Sequence, residues 1–135
     1  MIGDYNTAHH PIDLARPKPN AKKTGFLPRE RDVLTGWLDA GFTDTYRHLY
    51  PEKEGAYSWW STYGDTRARN VGWRIDYVFA STAALPFIQD AFIWPDDKGS
   101  DHCPVGVTVD PAIFGEHAPQ AVDPSTSMMD QVTLL

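Results

Sequence analysis

The sequence lacks several features that define common classes of protein. Its 135 residues include one cysteine, Cys103, which excludes an internal disulfide. No positively charged segment followed by an apolar run opens the chain, and no apolar stretch approaches the roughly 20 residues that span a bilayer. Polybasic and lipidation signals are also missing. These absences argue against secretion and membrane attachment, and they favour a reducing, cytoplasmic compartment.

Basic residues are scarce in the second half of the chain. The formal net charge is −6, and residues 1–74 carry 11 Lys and Arg against 9 Asp and Glu, whereas residues 75–135 carry 1 against 9. Net charge therefore provides no long-range attraction to a polyanion, but the first segment can form a local basic surface. A merely solvated charged surface is the alternative that charge alone leaves open.

The remaining composition is that of a globular chain. Hydrophobic residues make up 41% and aromatic residues 13%, and the length is compatible with one domain. Five tryptophans are many for this length, and Trp59, Trp60 and Trp73 are close in sequence. This group predicts either a wall for planar or furanose rings or simple packing.

Local patterns predict a mixture of helices and strands. Pro28 suits the first turn of a helix over 28–40, an apolar stripe follows it, and Gly41 suits its end, although Leu27 cannot accept the N-cap hydrogen bond. The other predicted elements are a long loop over 9–27, a helical turn over 44–50, and strands over 57–61, 73–80, 87–93 and 104–109. From Pro111 the composition predicts a flexible tail over 111–135.

Three short motifs carry chemically useful side chains. They are Gly3-Asp4-Tyr5-Asn6, Asn70-Val71-Gly72-Trp73-Arg74-Ile75-Asp76-Tyr77 and Gly99-Ser100-Asp101-His102-Cys103-Pro104. Together they supply the acids, the amide and the imidazole that metal-assisted phosphodiester cleavage requires, because carboxylates hold a hard cation and a histidine can bind or protonate a phosphate. Each motif alone is more typical of a turn or a solvated loop.

With these motifs the chain resembles the exonuclease III family of abasic-site (AP) endonucleases, within the endonuclease/exonuclease/phosphatase superfamily. The resemblance runs from about Gly3 to about Val109. It also includes Ile12–Lys18, Gly25-Phe26, Asp44–Leu49 and Tyr57–Trp60, in the order and spacing of the family.

The resemblance implies a particular fold and an incomplete domain. The family has an α/β (α+β) fold, a four-layer DNase I-like sandwich of two mixed β-sheets flanked by helices. Residues 1–110 would supply roughly its C-terminal half, with one sheet and its outer helices. The N-terminal half, with a metal-binding glutamate, an asparagine and a tyrosine, is expected to be missing. We therefore expect an exposed apolar face that pairs with an N-terminal fragment or with a second copy.

The resemblance also implies roles for five side chains. Asp4 would activate or orient the attacking water, and Asn6 would position that water or the phosphate. Asp76 would pair with His102, which would reach the scissile phosphate. Asp101 would face the metal region and, with Asp4 and Asn6, would bind Mg²⁺ or Mn²⁺. The remaining histidines are not spaced in a zinc-binding pattern.

Further residues would contact DNA that contains an abasic site. Trp59, Trp73 and Ile75 resemble the pocket that accepts the flipped-out sugar, although alternation alone equally predicts a sheet core. Side chains expected to contact the DNA backbone are Arg16, Asn20, Lys22, Lys23, Arg67, Arg69 and Asn70. In the tail, Gln131, Leu134 and Leu135 resemble a peptide that docks on a sliding clamp, and a frayed apolar end is the alternative.

The expected function is thus Mg²⁺-dependent hydrolysis of DNA 5′ to abasic sites, with 3′-to-5′ exonuclease and 3′-phosphatase activity. Two alternatives stay open. A related phosphoesterase that acts on inositol phosphates or sphingomyelin shares the first and last motifs. A non-catalytic DNA-binding or clamp-tethered fragment is the alternative from another class.

Overall fold

The computed structural model describes residues 1–117. The strands are β1 (Ile2–Asp4), β2 (Phe42–Asp44), β3 (Asp76–Ser81), β4 (Ile88–Ile93) and β5 (Val105–Val109). The helices are α1 (Pro17–Asn20), α2 (Pro28–Asp39) and α3 (Thr45–Leu49), and 3-10 turns lie at Pro11–Asp13, Leu85–Phe87 and Pro111–His117. In this part of the chain, no helix has the length and hydropathy of a bilayer span.

The strands form two small antiparallel sheets. One has the order β1-β3-β2, and the other pairs β4 with β5. The single sheet expected from the resemblance is thus divided within the described residues. In the first sheet Ile2 lies opposite Val78 and Asp4 lies opposite Asp76. This register brings the end of β1 next to the beginning of β3.

Helix α2 confirms the helix predicted over 28–40. Gly41 follows it with a φ of +94°, a left-handed conformation that favours glycine and ends the helix. The Glu30 carboxylate accepts hydrogen bonds from the backbone N–H groups of Gly25 and Leu27, at 2.8 and 3.1 Å. Glu30 thereby stabilises the helix start that Leu27 cannot cap with its side chain.

The segment predicted as a loop over 9–27 contains short helical pieces. Pro11 begins one 3-10 turn and Pro17 begins α1. Proline interrupts a helix but suits its first position, because φ is already helical and the missing N–H would have no partner there. At the other end, within the predicted tail, Pro111–His117 consists of 3-10 turns interrupted at Gly115, which has a φ of +57°. Gln131, Leu134 and Leu135 lie outside the described residues.

The prediction of a strand over 57–61 is wrong. The strand predicted over 73–80 is present as β3, but it begins at Asp76. Trp59 forms only isolated bridges, to Trp73 and to His102. The reason lies in Ser58, whose buried Oγ accepts hydrogen bonds from the N–H groups of both Ile75 and Asp76, each at 3.1 Å. Successive N–H groups of a regular strand point in opposite directions, so this contact interrupts the ladder.

The core between α2 and β3 is aromatic. Leu34, Tyr77 and Phe79 are buried there. Tyr5 packs edge to face against Trp37 and Phe79, with ring centroids 5.1 and 5.5 Å apart. Because Tyr5 follows Asp4 directly, this packing also anchors the end of β1.

A buried ion network connects three segments of the chain. Arg74, 1% exposed, donates from Nε to Asp13 Oδ1 at 2.8 Å and from both terminal nitrogens to the Asp44 carboxylate at 3.1 and 2.6 Å. Arg47 also donates to Asp13. Burial alone would raise the pKa of Asp13, but the two guanidinium groups hold it below its usual value. Sequence patterns gave no sign of this network.

We expect Arg74→Met to destabilise the chain by about 3–5 kcal/mol, because it leaves the buried Asp44 carboxylate without its cation. Urea unfolding followed by tryptophan fluorescence measures this change. Arg29→Met, at an exposed helix position, is the control and should alter stability by less than about 0.5 kcal/mol. A loss below about 1 kcal/mol for Arg74→Met would contradict a structural role for the network.

His9 is a second buried group with a pH-dependent effect. It is 3% exposed, and its Nε2 lies 2.8 Å from Thr35 Oγ1. Burial, reinforced by the neighbouring His10, lowers the pKa of His9 to about 4. The unfolded chain therefore binds a proton at His9 between about pH 6.5 and pH 4 while the folded chain does not, and stability falls as pH falls through that window.

Replacing His9 by Gln should reduce this pH dependence. We expect wild-type stability to fall by up to about 3 kcal/mol between pH 6.5 and pH 4 through His9, and the His9→Gln slope to be shallower. Some slope remains, because burial lowers the pKa of His10 as well. Urea unfolding at several pH values measures the slopes, with exposed His48→Gln as the control. Equal slopes for wild type and His9→Gln would rule out this account.

Candidate active site

Two carboxylates face each other where β1 and β3 meet. Asp4 is the last residue of β1, Asp76 is the first of β3, and the two are direct partners in the antiparallel register. The Asp4 side chain is 34% exposed and that of Asp76 is 13% exposed. The ladder therefore presents two acids of unequal burial at one edge of the sheet.

His102 completes this group from the loop between β4 and β5. Its Nδ1 lies 2.9 Å from Asp76 Oδ2, and its Nε2 lies 3.9 Å from Asp4 Oδ2. Because a carboxylate can only accept, Nδ1 carries the proton in this contact, and Nε2 points toward Asp4 and the surface. The predicted pairing of Asp76 with His102 is present.

Asn6 holds the loop that follows β1. It adopts a left-handed φ of +51°, and its backbone N–H donates to Asp4 Oδ1 at 2.7 Å. Asparagine tolerates this conformation better than most residues. Thus the Gly3-Asp4-Tyr5-Asn6 motif forms the turn expected for it, and this turn orients Asp4.

A cavity of about 280 Å³ adjoins the loop. Its walls are Asn6, Thr24, Gly25, Trp59, Trp73 and Ile75. Trp59 and Trp73 meet edge to face with centroids 6.5 Å apart. A side chain at Gly25 would contact both the Asn6 carbonyl and the Trp73 ring at 3.2 Å. The three predicted pocket residues therefore line one cavity, and Asn6 is a wall that the motif alone did not indicate.

Asp101 is not one of the three side chains whose ligand atoms converge within 4.8 Å. Its carboxylate accepts a hydrogen bond from Trp59 Nε1 at 3.1 Å, and this bond is the main reason that the pKa of Asp101 lies below its usual value. Its other oxygen accepts from Ser100 Oγ at 3.2 Å, and the residue is exposed. It therefore connects the loop to a wall of the cavity.

Two of the residues expected to contact DNA are instead bound within the chain. Arg67 donates to the carbonyl oxygens of Pro95, Asp97 and Ser100, and its guanidinium lies 4.6 Å from the centre of the Trp60 ring. The Asn70 amide donates to the Gly55 carbonyl and accepts from Trp60 Nε1. Both side chains stabilise loops. The Arg67 bonds come from its two terminal nitrogens, and its buried Nε has no hydrogen-bond partner among the described residues.

The other predicted contacts are more accessible. The Asn20 amide donates to the Arg16 carbonyl within the short α1 segment. Among the residues expected to contact DNA, the exposed basic side chains are Arg16, Lys22, Lys23 and Arg69. Of these, Lys22 and Lys23 precede Thr24 and Gly25, which line the cavity.

The donor atoms present fit a hard divalent cation. One ligand atom from each of Asp4, Asp76 and His102 lies within 4.8 Å of the others. Carboxylate oxygens are the preferred ligands of such cations, and two neighbouring carboxylates repel each other unless a positive charge lies near them. The Asp4 and Asp76 oxygens are thus the side-chain atoms best suited to hold an ion.

The profile of the Endonuclease/Exonuclease/phosphatase family matches residues 1–102. The chain belongs to this family. The match contains β1, the helices α1 to α3, the cavity, β3 and β4, and it ends at His102. The expected resemblance is therefore confirmed.

Individual relatives agree with this assignment. The exodeoxyribonuclease of Bacillus subtilis (strain 168) is 50% identical over 109 residues, which cover 81% of this chain and 43% of the relative. The DNA repair nuclease APEX1 of Danio rerio is 49% identical over 105 residues, which cover 78% of this chain and 34% of the relative. The chain thus spans less than half the length of these relatives.

Solved structures give the same result for the fold. The AP endonuclease of Leishmania major superposes with a TM-score of 0.75 at 34% identity, over 78% of this chain and 33% of that chain. A 3′ phosphatase from Neisseria, bound to a product DNA hairpin, superposes with a TM-score of 0.76 at 29% identity. The superposition covers 81% of this chain and 44% of the phosphatase. These similarities confirm the predicted DNase I-like α/β fold, of which the chain forms part.

Arg67 provides a test of loop anchoring near the site. We expect Arg67→Lys to raise the amide exchange rates of Trp60 and Cys103 about tenfold, because the single nitrogen of a lysine cannot reproduce the planar fork whose two terminal nitrogens reach three carbonyls. These amides bond to the carbonyls of Asp101 and Ser58. Hydrogen exchange followed by NMR measures the effect, and Arg69→Lys is the matched control. Unchanged exchange in Arg67→Lys would show that the loop does not depend on this side chain.

Proposed function

We propose that the chain carries a DNA phosphodiesterase site that hydrolyses the backbone 5′ to abasic sites, with 3′-to-5′ exonuclease and 3′-phosphatase activity. The observation that carries this proposal is the convergence of Asp4, Asp76 and His102 beside the cavity of Trp59, Trp73 and Ile75. The names of the relatives support the same reaction class.

We assign each polar side chain the role that the family resemblance implies, and its contacts support that role. Asp4 accepts a proton from, or orients, the attacking water, and Asn6 positions that water or the phosphate. His102 presents Nε2 to a phosphate oxygen, because Nδ1 is held by Asp76. Asp76 thus fixes the tautomer and the direction of the ring, and Nε2 can donate to a phosphate oxygen when it also carries a proton.

Mg²⁺ or Mn²⁺ is the proposed cofactor, held by Asp4 with Asn6 and Asp76 nearby. When bound, such an ion would neutralise charge on the phosphate and polarise its oxygens. The family resemblance also implies Asp101 as a ligand of the ion, and the contact of Asp101 with Trp59 supports a role in shaping the cavity wall.

The cavity suits a sugar without its base. Two tryptophan rings and Ile75 offer apolar walls, while Asn6 adds a polar edge. A full nucleotide would need more room than a deoxyribose, so the walls would select by size. The exposed Arg16, Lys22, Lys23 and Arg69 would contact backbone phosphates without reading the base sequence.

A DNA-binding module without cleavage is the second candidate. It is favoured by the same exposed basic side chains, which could contact backbone phosphates without any cleavage. Pairing with another fragment or copy, and docking of the tail on a sliding clamp, are further predictions that no contact within residues 1–117 tests.

An abasic duplex distinguishes the two candidates. With Mg²⁺, we expect the purified chain to cut the abasic strand on the 5′ side, and Asp4→Asn or His102→Asn to lower the rate by about 10²–10⁴-fold. Gel electrophoresis of an end-labelled duplex measures cutting, and a chelator should abolish it. Asp39→Asn, an exposed charge-matched change, is the control. Binding without cutting would favour the module, and near-normal rates in either variant would refute the assigned roles.

A further inference from the structure

The geometry points to Ser58 as a positioning residue, one that holds the Asp76 carboxylate against the His102 ring. Ser58 does not line the cavity, and it contacts Asp76 through the backbone N–H and not through the carboxylate, so we infer that it acts through the backbone. The importance of Ser58 for hydrolysis rests on the proposed function. The effect of Ser58 on the Asp76–His102 contact is independent of that function.

Ser58 uses both its side chain and its main chain for contacts within the fold. It is 0% exposed. Its Oγ accepts from the N–H groups of Ile75 and Asp76, and its own N–H donates to the Trp73 carbonyl at 2.9 Å. Its carbonyl accepts from the Cys103 N–H at 2.8 Å. One residue therefore binds the backbone on either side of the Asp76–His102 pair.

These contacts set the position of Asp76 in particular. Two successive N–H groups converge on one hydroxyl oxygen, which fixes the direction in which the chain enters β3. The Asp76 carboxylate is attached at that point. An alanine would leave two buried N–H groups without an acceptor, and the backbone would move to find new partners.

The same residue also sets the position of the ring. The Ser58 carbonyl holds Cys103, the neighbour of His102, and Trp59 forms a bridge with His102 itself. A shift of the segment at Ser58 therefore changes both ends of the 2.9 Å contact between Nδ1 and Oδ2. That contact selects the Nδ1–H tautomer of His102. A change at Ser58 that lengthens the contact should therefore change the tautomer.

The test measures the His102 tautomer directly, without any substrate. Histidine-labelled chain is examined by long-range ¹H–¹⁵N NMR at one pH at which the ring is neutral, and the His102 signals are identified by their loss in His102→Asn. We expect the Nδ1–H form in the wild type and a several-fold shift toward the Nε2–H form in Ser58→Ala. Ser58→Thr retains the hydroxyl and should restore the wild-type signals.

Thr45→Val is the matched control for general destabilisation. Thr45 is 1% exposed, and its hydroxyl donates to the Val78 carbonyl of the same strand, away from His102. This variant should keep the wild-type tautomer. If Ser58→Ala does not fold, Ser58→Cys takes its place, because sulfur fills the site but accepts hydrogen bonds only weakly.

The outcomes separate this inference from the proposed function. A wild-type tautomer in folded Ser58→Ala or Ser58→Cys would overturn it, and so would an equal shift in Thr45→Val. Where the wild type cuts DNA, Ser58→Ala should lower kcat at least about tenfold with KM within about twofold, and Ser58→Thr should recover it. If no variant cuts DNA, the proposed function fails while the tautomer still decides the role of Ser58.

Discussion

The pairing of β1 with β3 is the constraint on which the site depends. It places Asp4 opposite Asp76, and the Asp76 carboxylate in turn holds His102. These residues are far apart in the chain, and the antiparallel register alone brings the two acids together. A shift of one residue would turn one of the carboxylates to the other face of the sheet. Packing of Tyr5 against Trp37 and Phe79 specifies the register.

Buried polar contacts stabilise the short sheet formed by β1, β3 and β2. Arg74 connects Asp13, from the turn after β1, to Asp44, at the start of α3, and it lies two residues before Asp76. Ser58 supplies the acceptor that the interrupted ladder lacks at Ile75 and Asp76. Such contacts add little net stability but strongly disfavour other arrangements, since breaking them leaves buried groups unpaired. Here they lie next to the residues proposed to act on a phosphate.

Sequence patterns predicted the regular parts of the molecule well. Helix α2 followed from its proline, its apolar stripe and Gly41, and the Asp76–His102 contact and the shared cavity of Trp59, Trp73 and Ile75 followed from the family resemblance. The errors have a common cause: the polar contacts of Ser58, Arg67 and Arg74 depend on partners distant in sequence. A serine in an aromatic run and an arginine in a basic segment look the same whether exposed or buried.

The most direct test of the central claim is a double-mutant cycle on incision of an abasic duplex by Asp4→Asn, His102→Asn and the combined variant. If both side chains act on one phosphate, the activity of the combined variant should be only slightly lower than that of the less active single variant. Losses that simply multiply would show that Asp4 and His102 act independently, and would contradict a single site at the meeting of β1 and β3.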